Sequence, residues 1–387
     1  MTSPTSAESA SDGHDPYSDY AELRAKGPVH RVHIPGSGES WLVVSYDAAR
    51  AALTEPRLRN DIRHSSSWRS DGGHALGRNM LQTDPPQHTR LRGLVAARFT
   101  AGSVAALRPK IETVALELLD SLPERGTADL VAWYALPLPV KVICDLLGVP
   151  GADRAVFHDW SNELVMPTSP EAAAAAAAAL TEYLTELTAP ERGRWPAGLL
   201  GDLVAVAELT AEELLGMAFL ILVAGHETTV DLISGTVHAL LAHPDQLALL
   251  RAEPDLTEAA VEESLRYNSP VHATAFRFAA EPLDIGGTRI EAGDSVQVSL
   301  AAASRDPLRF PDPDRFDLRR RTRGHLGFGH GLHHCLGAPL ARVEAAVALR
   351  VLLRHRPALA FATDPTTLTW RTSTLLRGLA ELPLRFG

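Results

Sequence analysis

Hydrophobic positions follow three different rhythms along the chain. Up to about Asn79 the pattern is mixed. "SWLVVS" (Ser40–Ser45) reads as a strand, and "NDIRHSSSWRSDGGHALGRN" (Asn60–Asn79) as a loop-rich stretch. From Pro86 to about Leu265 apolar residues recur at helical spacing. Here "DPPQHTRLRGLVAARF" places prolines at a helix start, and the alanine run Ala172–Ala179 predicts a solvent-facing helix. After Tyr267 short β-like segments alternate with Gly-Gly and Ala-Gly-Asp turns. A glycine-rich loop, a helix from about Pro339 to Arg354 and a β-like tail, "RTSTLLRGLAELPLRF", complete the chain. The predicted class is mainly α, an α+β chain with small sheets gathered toward the C-terminus. No linker-like stretch or internal repeat divides it.

One helix stands out. Thr210 and Glu213 form a Thr-x-x-Glu capping box, and the helical pattern runs to about Ala242, ahead of Pro244. Such a helix is roughly 50 Å long at ~1.5 Å per residue. Its middle is apolar on all sides, which predicts burial. Yet "AGHETT" (Ala224–Thr229) falls in that middle. A buried acid and two threonines need partners, or they cost several kcal/mol. They form either a satisfied internal network or a functional site. Gly225 favours the site, because glycine weakens the helix and lets something approach its backbone.

Charge and cysteine content narrow the function classes. Against 37 basic residues stand 47 acidic ones, a net charge of −10 over 387 residues, which argues against general nucleic-acid binding. The two cysteines, Cys144 and Cys335, exclude a disulfide framework and point to a reducing cytosol. "MTSPTSAESASDGHDP" has neither the basic nor the apolar region of a signal peptide, so residues 1–15 are expected to be a disordered tail. The longest apolar run, Leu214–Gly225, is shorter than the ~20 residues that span a bilayer. A soluble, cytoplasmic protein without membrane or nucleic-acid partners is expected.

Cys335 lies in "GFGHGLHHCLGAPLAR" (Gly327–Arg342). Zinc is one reading, with His325, His330, His333 and His334 as further ligands. But neighbouring His333 and His334 do not easily share one ion, and Cys144 sits in an apolar helix-like stretch. A single thiolate on haem iron is the second reading. Gly329, Gly331 and Gly337 would then permit positive φ and close approach of a flat macrocycle. Backbone N–H groups could point at the sulfur, and the helix starting near Pro339 would favour a thiolate. A buried, inert cysteine is the third.

These segments resemble the cytochromes P450. "FGHGLHHCLG" is similar to their haem-binding loop, Phe-x-x-Gly-x-x-x-Cys-x-Gly, as Phe328, Gly331, Cys335 and Gly337. "AGHETT" resembles the oxygen-activation motif of their long central helix, and "ESLR" (Glu263–Arg266) their Glu-x-x-Arg motif. "FPDPDRF" (Phe310–Phe316) resembles the segment whose arginine, here Arg315, completes that network. One departure is Ser304, where these enzymes commonly carry asparagine.

The resemblance implies one helix-rich haem-thiolate monooxygenase domain over residues 16–387, of the soluble bacterial type. It implies haem b with Cys335 as axial ligand, and propionates held by His88, Arg92, Arg277 and His333. Ala224 and Gly337 lie against the cofactor, and Phe328 shields the sulfur. Glu263, Arg266 and Arg315 form a structural network. Glu227 and Thr228 carry protons to bound oxygen. The implied reaction inserts one atom of O2 into a C–H bond, with electrons from a ferredoxin and its reductase. Arg319, Arg320, Arg321, Arg323 and Arg90 are expected to steer that ferredoxin. Met80, Val165, Met166, Val223, Val271, Thr274 and Thr374 are expected to line the substrate pocket. Their apolar character suits a sizeable secondary metabolite such as a polyketide, macrolide or terpenoid. Ring closure or coupling is the alternative outcome. A peroxide-driven enzyme or a haem sensor would have no need of the Glu-Thr pair.

Overall fold

The computed structural model describes residues 5–6, 15–34, 38–68, 77–165, 168–189, 198–206 and 208–386. Most of the expected tail, and Met166, lie outside these. Within the tail, Thr5–Ser6 run parallel to the strand Val29–Ile34, and Asp15 caps a helix Pro16–Lys26.

Helices carry most of the mass. The long one spans Ala211–Ala242, its N-terminus closed by the predicted capping box of Thr210 and Glu213. By length and composition it could cross a membrane, but 67 % of its most apolar window is buried inside the fold, where a spanning segment would face lipid. It packs among helices Pro137–Leu147, Thr257–Tyr267 and Ala338–His355. The alanine-rich helix, Pro170–Thr188, is not solvent-facing all round. Ala176, Leu180, Leu184 and Leu187 are buried on one side, because the leucines extend its stripe at helical spacing.

Six short strands form the main sheet, in the order Thr5–Ser6, Val29–Ile34, Gly38–Val43, Ser295–Val298, Arg277–Ala279, Leu58–Arg59. Arg277 sits opposite Val296 in the antiparallel pair, which fixes its guanidinium in the interior. A β-hairpin pairs Trp370–Thr372 with Arg377–Leu379 and sets Arg371 opposite Gly378. After the last sheet strand the chain turns helical at Leu300–Ser304, with Ser299 as its cap, where the sequence pattern suggested continued extension. One apolar core lies between the helices, and a second beneath the sheet around Val43, Val296 and Phe310.

Candidate active site

The cysteine loop is built by two left-handed glycines. Gly329 has φ 70° and Gly331 φ 76°, both in the region that suits glycine. A Cβ on Gly331 would also come within 2.8 Å of the Leu53 carbonyl oxygen. Gly337 differs from expectation. Its φ is −77°, and it serves as N-cap of the helix Ala338–His355. The Cys335 N–H donates to the Phe328 carbonyl at 2.9 Å, which closes the loop. Arg342 lies over the Phe328 ring, 4.4 Å from its centroid.

Cys335 is exposed by area, whereas Cys144 is fully buried in the helical core. Yet burial pushes the Cys335 thiol up, against the pull of the Gly337 and Ala338 N–H groups and Arg92. A surface that is both accessible and poorly solvated opens onto enclosed space rather than bulk water. Ala224 is exposed midway along the long helix, between buried Leu222 and buried His226.

Four basic groups converge beside this space. The His88 and His333 rings lie 4.5 Å apart between centroids. Burial, then Arg277, His88 and Arg92, push His333 down to about 3. Burial also pushes Arg277 down to about 10. Both ring nitrogens of His88 and Nε of Arg277 are buried without a hydrogen-bond partner. Arg277 reaches only the Ala52 and Leu53 carbonyls, at 3.4 and 3.2 Å. Arg92 donates to the His334 carbonyl at 2.8 Å. The nearby acid, Asp84, already accepts the N–H groups of Asn60 and Asp61 at 3.1 Å each. One acid for four basic groups leaves the cluster short of anions. One open sulfur plus this cluster fits a haem and its two propionates. Zinc fits poorly: among the described residues no three His, Cys, Asp or Glu side chains form a metal-holding group.

On the long helix the polar interruption is resolved in detail. Gly225 accommodates Ile143, whose side chain a Cβ would meet at 2.8 Å; the close approach comes from a neighbouring helix. His226 Nδ1 donates to the Leu222 carbonyl at 2.9 Å, and Nε2 faces Ser161 Oγ at 2.9 Å. The buried Glu227 carboxylate lies 3.3 Å from His226 Nε2 and 3.8 Å from His158 Nε2. Burial works to raise Glu227, but His226, Arg371 and His158 outweigh it and hold the group below the ordinary glutamate value. Thr228 donates its hydroxyl hydrogen to the Ala224 carbonyl at 3.1 Å. His226 stood within the quoted motif, but its bond to Ser161 depends on a contact far along the chain.

The pocket-wall residues are partly assembled. Val271 bridges to Leu376, and Gln297 Nε2 spans the Thr274 and Thr374 carbonyls at 3.1 and 3.5 Å. The Thr274 hydroxyl is occupied, accepting the Val298 N–H at 3.2 Å. Val223 is half-buried and Met80 buried. Val165 ends the helix Arg154–Val165.

The Glu-x-x-Arg pair is wholly buried. Arg266 Nε and Nη2 donate to the two Glu263 oxygens at 2.7 and 2.8 Å. Its remaining donors reach the Pro313, Ser304 and Arg315 carbonyls at 2.8, 3.3 and 3.2 Å. The second arginine on Glu263 is Arg320, at 3.2 Å, not Arg315. Arg315 supplies its carbonyl while its side chain is exposed. Arg320 is thereby withdrawn from the basic surface run, its side chain only 10 % exposed. Arg90 is likewise turned to Glu213, and Arg319 to Glu253. Ser304, at the departure position, accepts the Leu326 N–H at 3.0 Å and holds the start of the cysteine loop.

This fold and this site define a haem-thiolate oxidoreductase, and the chain belongs to the cytochrome P450 family. The family model for cytochrome P450 matches residues 201–357. The cytochrome P450 monooxygenase PikC of Streptomyces venezuelae is 51 % identical over 96 % of this chain and 91 % of its own. The 6-deoxyerythronolide B hydroxylase of Saccharopolyspora erythraea is 43 % identical over 100 % and 99 %. The tirandamycin C-bound P450 monooxygenase TamI superposes with a TM-score of 0.91 at 45 % identity, covering 96 % of this chain and 98 % of that one. The protein is an O2-dependent monooxygenase with haem b as its cofactor.

Proposed function

We propose that the chain oxidises a C–H bond of a sizeable apolar secondary metabolite of the polyketide, macrolide or terpenoid kind, using electrons from a ferredoxin. The observation that carries the site assignment is the anion-deficient cluster of His88, Arg92, Arg277 and His333 beside the one accessible cysteine. The substrate class is supported by relatives named for hydroxylating 6-deoxyerythronolide B and mycinamicin IV. A spectral binding screen with macrolactones, terpenoids and fatty acids, followed by turnover under 18O2, tests it. One labelled oxygen in a macrolactone or terpenoid product is expected. Preference for fatty acids, or product without label, would overturn it.

Cys335 would hold the haem through its thiolate, and the haem would supply the oxygen activation there. The chain's residues hold the cofactor and manage protons. Arg92 and Arg277 would neutralise the propionates, and His88 and His333 would donate hydrogen bonds to them. The Gly337 and Ala338 N–H groups and the Phe328 ring hold and shield the sulfur. Ala224, small and exposed midway along the long helix, would leave room beside the cofactor. Glu227 rests as a carboxylate and passes on a proton that His158, partly exposed on the adjoining helix, can bring from solvent. Thr228 relays it, since a hydroxyl can accept one hydrogen bond while donating another. Thr228→Ala is expected to keep cofactor and substrate binding but to release much of the electron flow as peroxide. Product formed per electron pair is the measurement, and unchanged coupling would remove Thr228 from the path.

The cysteine-loop face offers a docking site for an acidic ferredoxin. Leu332 is 46 % exposed there, with Arg50, His330 and His334 nearby in a net-acidic protein, while Arg342 is paired with Glu262. Arg321 and Arg323 remain exposed nearby in sequence. Steering between such charges weakens as the Debye length falls from ~10 Å at 0.1 M salt to ~3 Å at 1 M. Arg50→Glu should slow ferredoxin-driven reduction and flatten its salt dependence, with substrate binding intact. Equal rates and slopes across a salt series would place docking elsewhere.

A further inference from the structure

One buried acid has no place in the mechanism so far. Asp231 lies on the long helix four residues after Glu227, so the two share a helix face. Its side chain is 1 % exposed, and neither carboxyl oxygen has a hydrogen-bond partner. The hairpin closes over it. A Cβ on Gly378 would fall 1.7 Å from Asp231 Oδ1, so only glycine leaves the carboxyl its space. Opposite Gly378, Arg371 brings Nη2 to 3.6 Å from Oδ1, while its Nη1 donates to Asn162 Oδ1 at 3.1 Å.

The charged groups facing Asp231 are few. Its own helix presents Glu227, and the strand Trp370–Thr372 presents Arg371. The strand Arg377–Leu379 presents only the Gly378 backbone at that point. The helix Arg154–Val165 brings His158 to Glu227 and Asn162 to Arg371. Burial first, and then the Glu227 charge, push Asp231 up to about 7, against the pull of Arg371. Glu227 is held low by its neighbours. Two carboxyls with opposed environments divide the roles of proton holder and proton donor.

We propose that Asp231 is the proton store behind Glu227, acting through Glu227 and not on the reacting atoms; this rests on the monooxygenase reading above. When the reaction draws a proton through Glu227 toward Thr228, the Asp231 carboxyl supplies it; the two carboxyls share no direct hydrogen bond, so a bridging water carries the proton between them. The Asp231 anion left behind faces the Arg371 guanidinium. A solvent proton arriving by His158 and Glu227 refills it. Each cycle moves one proton in and one out, with no electron transferred in these steps.

The test uses the haem-loaded full chain and Asp231→Asn, which keeps the size and removes the proton. Infrared titration through neutrality, read as parent minus variant, should show a protonated-carboxyl band that titrates near neutrality in the parent and is missing in Asp231→Asn; buried Glu344, also pushed up, contributes equally to both and cancels. Turnover should fall by roughly tenfold, less than the ~10²–10⁴-fold of a direct acid–base group. The solvent isotope effect should rise, and the ionisation near neutrality should leave the pH profile. Arg371→Gln removes the facing cation and should move the band's midpoint to higher pH, which tests the idea even if Asp231→Asn folds poorly. An unchanged isotope effect and pH profile, or a parent-minus-variant spectrum with no carboxyl band titrating near neutrality, would overturn it. Failure of the monooxygenase reading would show separately, as a parent without thiolate-type spectra while the infrared result stands.

Discussion

Arg266→Met is expected to destabilise the protein by about 3–5 kcal/mol, the cost of leaving one partner of a buried ion pair alone. Both side chains are 0 % exposed, so water cannot replace the lost contacts. Glu263 would keep Arg320 and the Asp317 N–H, at 3.2 and 3.0 Å, which limits but does not remove the penalty. The carbonyls of Ser304, Pro313 and Arg315 would also lose their donor. Because Ser304 anchors Leu326 at the start of the cysteine loop, cofactor retention should fall with stability. Urea unfolding with haem release as second probe measures both. The double variant Glu263→Gln/Arg266→Met should recover part of the loss, since it leaves no full charge on either member of the pair. A single variant within about 0.5 kcal/mol of the parent, the range of ordinary surface substitutions, would show that the network carries no load.

Glu227→Gln is expected to lower turnover by ~10²–10⁴-fold, the usual contribution of one general acid–base group. The amide keeps the shape and the neighbourhood of His226 and His158 but has no ionisable proton. Substrate-induced spectral shifts should stay, because the carboxylate is 2 % exposed and faces His226 and His158. The low position of Glu227 sets the pH direction. Its carboxylate is present above the depressed value and is lost as acid falls through it. Parent turnover should therefore decline on the acid side, and that limb should be missing in the variant. Equal turnover in parent and variant at neutral pH would exclude Glu227.

Much of this site was legible in the sequence because its determinants are local. The capping box, the cysteine loop and the i, i+3 pair Glu263–Arg266 each lie within a few residues of chain. Left-handed φ at Gly329 and Gly331 followed from spacing; at Gly337 it did not, since the helix start there needs no such angle. What the sequence could not rank were choices made by distant packing. Five arginines follow "FPDPD" closely, and only the fold shows that Arg320 turns inward while Arg315 faces out. Gly225 looked like an opening for a ligand, but Ile143 fills it. Asp231 was visible at i+4 from Glu227, yet its partner Arg371 comes from a hairpin near the other end of the chain.

The central claim is that Cys335, and not Cys144, is the thiolate ligand of the haem iron. Its most direct test is the ferrous–CO difference spectrum of the parent, Cys335→Ala and Cys144→Ala. The parent and Cys144→Ala should both give the strongly red-shifted band of a thiolate-ligated haem. Cys144 is fully buried in the helical core, so its truncation should cost some stability but no ligand. Cys335→Ala should lose that band, and turnover with it. A thiolate band that persists in Cys335→Ala, or disappears in Cys144→Ala, would contradict the account.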